Sequence, residues 1–374
     1  MEVMRAANAR AAAGGDVLHL EIGQPSTPAP VGVVAAAGAA LAGDRLGYTD
    51  AFGLPDLRAA IAGWYGERYG LALDLGRIAV TTGSSAGFLL AFLAAFEPGD
   101  RVALASPGYP AYRNILKATG LVPVEVETGP ETRYQPTPAQ LEALDPPLKG
   151  LIVASPGNPT GSMIPPADLA ALARWCEGRG VRLISDEIYH GLEYGEVASR
   201  SALGSSDRAV VVNSFSKYFS MTGWRLGWLV LPPELVRPVE CLTQNLYISP
   251  PTLSQHAAIA AFTCRGELEG HVARYRRNRD RLLADLAQAG ITTIAPPDGA
   301  FYLYADIGHL TADSPAFCRD LLAVTGVAVT PGVDFDPVRG HRFIRLSFAG
   351  AEAEIAEAGR RLGTFIAGRG RDFT

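Results

Sequence analysis

The chain has 374 residues, 48% of them hydrophobic and 19% charged, and 33 Lys+Arg against 38 Asp+Glu leave a net charge of −5. That length holds roughly two to three domains of ordinary size, and the apolar fraction excludes a disordered chain. The mildly acidic balance speaks against a nucleic-acid coat or a polybasic membrane binder.

In chain order, the first 16 residues carry Glu2, Arg5 and Arg10 among alanines. They lack a continuous hydrophobic core and do not read as a secretory signal. From about residue 77 a rhythm sets in. Short apolar or β-branched runs (Ile78–Thr81, Arg101–Ala105, Leu121–Val126, Leu151–Ala154, Val181–Ile184, Ala209–Val212, Leu226–Leu231) alternate with helical patterns such as Ala86–Phe96 and Ala167–Arg179. Unbroken apolar runs between helices predict strands buried on both faces, hence an α/β fold with a mostly parallel central sheet and helices on both sides. The uncharged apolar stretch Ala86–Phe96 is about half of what a bilayer requires, so no membrane partner is expected.

A helical stretch is predicted from near Thr252, with a break at Arg265–Gly266, through His271–Ala289. It is followed by a strand at Gly299–Asp306, a helix at Ser314–Thr325, a strand at Arg342–Phe348 and a last helix from Ala351. This predicts a smaller α+β domain built from the two chain ends, 1–40 and 271–374, beside a large domain over 41–270. Arg274, Arg276, Arg277, Arg279 and Arg281 form a basic cluster. Asp280 within it and Asp285 just after it offset the charge, so it reads as a solvated helix face and no nucleic-acid partner is expected. The four cysteines are scattered without metal-ligand spacing, as in a cytoplasmic protein with reduced thiols and no metal.

Polar residues follow the apolar runs almost at once. Gly83, Ser84 and Ser85 follow the first, Pro107–Tyr109 the second, and Asn158 and Gly161 follow Leu151–Ala154. Asp186 and Tyr189 follow Val181–Ile184, and Ser214, Ser216 and Lys217 follow Ala209–Val212. In a parallel sheet these all gather at the carboxyl edge, where open α/β proteins bind ligands. Each has an ordinary alternative: a serine pair caps a helix, an aspartate after a strand pairs with a cation, and a lysine is usually a solvated charge.

Lys217 has small hydroxyl residues and aromatics for neighbours, surroundings that favour a neutral, nucleophilic amine. Only Lys117 and Lys149 accompany it as lysines. Arg225 lies between tryptophans and calls for an anionic partner, which a phosphate would supply. A Schiff-base lysine, a hydroxyl-and-arginine phosphate site, an aspartate for a pyridinium nitrogen and a ring at Tyr109 for stacking meet the requirements of pyridoxal 5'-phosphate.

The stretches Tyr48–Arg58, Ser106–Tyr112, Ser155–Gly161, Ser185–Tyr189, Ser214–Arg225 and Phe343–Ala349 together resemble the class I/II aminotransferases of the fold-type I pyridoxal-phosphate enzymes, aspartate aminotransferase among them. They occur in the family's order, and the resemblance covers the chain from Gly23 to Arg345. The resemblance implies ping-pong transfer of an amino group from an L-amino acid to a 2-oxo acid through a Lys217 Schiff base. It implies Asp186 on the ring nitrogen and Tyr189 and Asn158 on the phenolic oxygen. The phosphate would fall to Ser84, Ser85, Ser214, Ser216 and Arg225, with Tyr48 reaching it across a homodimer. Arg345 would take the substrate α-carboxylate beside Gly23 and Asn158. Tyr109 stands where aspartate aminotransferase has tryptophan, which weakens the aspartate-specific assignment.

Three other readings remain: a carbon–sulfur β-lyase on the same scaffold, a non-catalytic regulator, and a sugar or nucleotide enzyme on a plain doubly wound sheet. The last leaves Lys217 and Arg225 unexplained. No second arginine is legible as a reader of a side-chain carboxylate, and Tyr247, Phe301 and Tyr302 fit pocket or core equally well.

Overall fold

A computed structural model describes residues 2–369. The strands are β1 Leu18–His19, β2 Ile78–Thr81, β3 Arg101–Ser106, β4 Val122–Glu127, β5 Gly150–Ala154 and β6 Arg182–Asp186. Then come β7 Val210–Ser214, β8 Gly227–Val230, β9 Tyr302–Asp306, β10 Val327–Ala328, β11 Thr330–Pro331 and β12 Phe343–Ser347. The helices are α1 Glu2–Ala12, α2 Val31–Gly43, α3 Pro55–Tyr69, α4 Gly83–Ala95, α5 Pro110–Ala118 and α6 Pro138–Glu142. They continue as α7 Pro166–Arg179, α8 Pro233–Leu246, α9 Thr252–Ala261, α10 Arg265–Gln288, α11 Ser314–Thr325 and α12 Glu352–Arg369.

Seven strands form the central sheet in the order β2-β8-β7-β6-β5-β3-β4. Side chains alternate across it: Leu151, Val153, Leu183 and Val211 join one apolar cluster, while Ile152, Ile184, Val210 and Val212 join another on the opposite face. Burial on both faces is why these segments read as unbroken apolar runs rather than alternating ones. The pairings β4·β3, β3·β5, β5·β6 and β6·β7 are parallel, whereas β8 runs antiparallel to both β7 and β2. Two reversals restore the direction of β2, so its carboxyl end lies on the same edge as those of β5, β6 and β7. The reversed β8 begins at that edge, which puts Arg225, just before it, there too.

A three-stranded antiparallel sheet, β11-β12-β9, and a parallel pair, β1-β10, carry the second α+β layer. The N-terminal segment reaches this layer through Leu18↔Val327 and the bond from Ser347 N to Leu20 O. The positions 40/41 and 270/271 fall inside α2 and α10, and α2 packs against α9. The helical break differs from the expected one. Arg265 and Gly266 open α10, and the interruption falls at Phe262–Cys264, after α9 ends.

Candidate active site

A cavity of about 380 Å³ opens between the carboxyl edge of the central sheet and the second layer. Of the residues singled out from sequence, Gly23, Ser84, Ser85, Tyr109, Asn158, Asp186, Tyr189, Ser216, Lys217, Arg225 and Arg345 line it. Two do not. Ser214 is buried, and its hydroxyl lies 3.1 Å from the carbonyl acceptor Leu226 O and shares a hydrogen bond of 2.8 Å with Ser216 Oγ, so it orients Ser216 from behind. Tyr48 projects from the protomer surface, 82% exposed.

Lys217 Nζ donates to the carbonyl of Gly23 at 2.5 Å. Burial beside the Arg345 charge pushes its ammonium down to about 8, with Asp186 partly opposing the shift. The rings of Tyr189 and Phe301 lie 5.7 and 5.8 Å from Nζ. This is the dry, cation-flanked setting that yields a neutral amine.

Asp186 closes β6 and is 2% exposed. Its Oδ1 accepts from the Ile188 amide at 3.1 Å, and its Oδ2 accepts from the hydroxyl of Tyr112. It makes no ion pair with lysine or arginine among the described residues. Burial raises its carboxyl to about 6 against the lowering effect of Tyr112, Ile188 and Lys217.

Gly83 opens α4 with φ +77°, and Thr82 before it supplies no side-chain cap. A Cβ at Gly83 would come within 2.4 Å of Arg225 Nη2. The absent side chain therefore leaves free backbone N–H groups, two serine hydroxyls and a guanidinium around one small volume, an arrangement suited to a dianion. Arg225 holds a left-handed backbone conformation and donates through Nη1 to Thr222 O at 3.1 Å.

Across the cavity, Arg345 stands on β12, 6% exposed. Its guanidinium lies between the rings of Tyr302 and Phe335, at 4.4 and 4.8 Å. Nη2 donates to Glu21 O at 2.6 Å and Thr330 Oγ1 at 3.2 Å, Nη1 donates to Asn158 Oδ1 at 3.0 Å, and Nε has no acceptor. Because the amide oxygen of Asn158 is taken by Arg345, its Nδ2 is the end left to donate to a ligand. The Tyr189 hydroxyl bonds the Tyr302 hydroxyl at 2.8 Å.

Sequence reasoning assigns no role to Tyr112, although it stands one helical turn after Tyr109 at the start of α5 and their rings meet edge to face at 5.4 Å. That spacing of three is the available signal. Of the three undecided aromatics, Tyr302 lines the cavity, Phe301 is buried against Tyr189, and Tyr247 lies elsewhere, against the α4 side of the core. Thr330 and the carbonyl of Glu21 reach the site only through long-range pairing and have no local signal.

Phosphate-binding groups, a buried carboxylate, a desolvated lysine and a stacked arginine in one cavity fit pyridoxal 5'-phosphate with an amino acid beside it. The family model for aminotransferase class I and II matches residues 15–362. Valine–pyruvate aminotransferase of Mycobacterium tuberculosis is 56% identical over 98% of this chain and 95% of its own. Aspartate/prephenate aminotransferase of Thermus thermophilus is 36% identical over 92% of this chain and 90% of its own. A solved aminotransferase from M. tuberculosis superposes with a TM-score of 0.97 at 55% identity, covering 98% of this chain and 96% of that one.

Proposed function

The chain belongs to the class I and II aminotransferases, pyridoxal-phosphate enzymes of fold type I, and we propose that it transfers the amino group of a neutral aliphatic amino acid to a small neutral 2-oxo acid such as pyruvate. The observation that carries this reading is the charge inventory of the cavity. Its lining cations, among the described residues, are Lys217, Arg225 and Arg345. With one on the cofactor phosphate, one on the substrate α-carboxylate and one at the reacting carbon, none remains for a distal carboxylate. Leaving that charge unpaired in a dry site is expensive. Val3, Met4, Ile22, Ile115 and Phe335 supply an apolar lining for the substrate side chain. The name of the relative at 56% identity agrees with this choice and with amino transfer rather than β-elimination.

The residues divide the work as follows. Ser84, Ser85, Ser216, Arg225 and the α4 N-terminus hold the phosphate, and Ser214 fixes the Ser216 hydroxyl. Asp186, ionised, would hold the proton on the ring nitrogen, while Tyr109 would cover a ring face and Tyr189 and the Asn158 amide N–H groups would serve the phenolic oxygen. The cofactor supplies an electron sink for the α-carbanion. Arg345, held by its two flanking rings and by Asn158, clamps the α-carboxylate and so orients the α-hydrogen. Lys217 Nζ takes that proton and moves it, a positioned-base contribution of roughly 10²–10⁴-fold. The first 2-oxo acid leaves before the second enters, so one carboxylate site serves both.

We extend the proposal to a cytoplasmic homodimer in which Tyr48 reaches the partner's phosphate, with the large domain over 41–270 and the small domain from both ends. The exposed Tyr48 ring supports this, as do the exposed apolar side chains of Val31 and Leu41 on α2 and of Ile248. A monomeric loaded protein on sedimentation would remove it.

A donor–acceptor screen tests the substrate reading. Valine with pyruvate should exceed aspartate with 2-oxoglutarate in kcat/KM by roughly 100-fold or more, the order that an unpaired buried charge imposes. Equal rates would overturn it.

A further inference from the structure

Directly behind Asp186 lies a second buried carboxyl that the reaction does not use. Glu187 is 1% exposed and does not line the cavity. Its hydrogen bonding is one-sided. Oε1 accepts from Ser185 Oγ at 3.1 Å, Ser201 Oγ at 3.1 Å and the Ala202 amide at 2.8 Å, while Oε2 is buried with no hydrogen-bond partner. Asp186 differs, because each of its oxygens accepts from a donor. Three donors serve Oε1 and none serves Oε2, and an oxygen buried without a donor costs less as a neutral O–H than as part of a charged carboxylate.

The groups around Glu187 offer it no cation. His190 Nδ1 lies 3.6 Å from Oε2, but His190 Nε2 bonds the carbonyl of Ser155 at 2.9 Å and must carry the proton there. In the neutral ring Nδ1 accepts from the Tyr69 hydroxyl at 2.5 Å. Burial also holds the imidazole down at about 4. Tyr65 and Tyr69 face Glu187 from α3, and both phenols are pushed well above their ordinary range. Arg68 of α3 is committed to Glu193 at 2.6 Å. Burial raises the Glu187 carboxyl to about 8 against the lowering effect of its bonds from Ala202, Ser201 and Ser185, and the Asp186 charge adds to that rise.

We infer that Glu187 is a positioning residue held as the neutral acid, and that this leaves Asp186 free to be the one ionised carboxylate of the pair. Two adjacent carboxylates in one dry core cannot both ionise cheaply, and the donors present assign the charge to Asp186 and the proton to Glu187 Oε2. The inference rests on the reading of Asp186 as the partner of the cofactor ring.

Infrared difference spectra of the loaded protein at neutral pH, wild type against E187Q, test it. A carbonyl band of a protonated carboxylic acid, shifted in D₂O and lost in E187Q, is expected. A difference confined to ionised-carboxylate bands overturns the inference. A second readout is the pH midpoint of the bound cofactor's absorbance change, because glutamine matches a neutral glutamic acid in charge and shape. An unchanged midpoint in E187Q is expected; a clear fall, as when an anion near a cation is removed, overturns it. Absence of any cofactor band in the wild type would instead sink the reading of the site, while the infrared result would still stand or fall alone.

Discussion

Arg345 donates to the side-chain oxygen of Asn158 at 3.0 Å, across 187 residues of sequence. The bond ties the antiparallel sheet that carries the arginine to the loop after β5 at the edge of the central sheet. The proposed carboxylate clamp and the amide proposed to face the cofactor are therefore joined by a direct bond.

Truncating the clamp provides the first test. Arg345→Ala should raise KM for the amino donor by roughly 30-fold or more, corresponding to about 2–5 kcal/mol for a desolvated charge pair. Cofactor affinity should change far less. An equal loss of cofactor affinity would contradict the carboxylate role.

Tyr112 sets up a pH prediction. Its hydroxyl is the largest influence that lowers the Asp186 carboxyl, which burial raises to about 6. Asp186 must be ionised to hold the ring proton, so activity falls as pH drops through its titration. Tyr112→Phe removes the donor, the carboxyl titrates higher, and the acid limb of kcat/KM moves to higher pH. A hydrogen bond to a charged group, about 1.5–3 kcal/mol, corresponds to roughly one to two pH units. An unmoved acid limb would refute the role given to Tyr112.

Lys217 makes the opposite kind of prediction. In the unliganded protein its ammonium is pushed down to about 8, and only the neutral amine attacks an aldehyde. The rate at which cofactor-free protein captures pyridoxal phosphate should rise with pH through about 8 and level off above it. A rate that is flat across that range would show that the amine is already neutral or that capture is limited elsewhere.

Much of the central sheet and of the site is legible in the order of residues alone. The apolar runs from Ile78 to Leu231 each coincide with a strand to within a residue or two; in the inner strands burial on both faces leaves no room for polar interruption, whereas the edge strand β4 carries the exposed Glu125. The polar residues that follow them gather at one edge for the same topological reason. The reversed direction of β8 is not legible, since an apolar run looks the same either way along the chain. The family resemblance groups Ser214 with Ser216 as a phosphate ligand, and it cannot say which hydroxyl faces the cavity and which braces it. The enclosure of Arg345 by Tyr302 and Phe335 arises from strand pairing and loop packing far apart in sequence, where no local pattern exists to be read.

The central claim is that one of the chain's three lysines carries the cofactor, and a trapping experiment addresses it most directly. Borohydride reduction of the loaded protein followed by peptide mapping should place the reduced pyridoxyl adduct on Lys217, and Lys217→Ala should leave no adduct. An adduct on Lys117 or Lys149, or an unchanged yield in Lys217→Ala, would contradict the account.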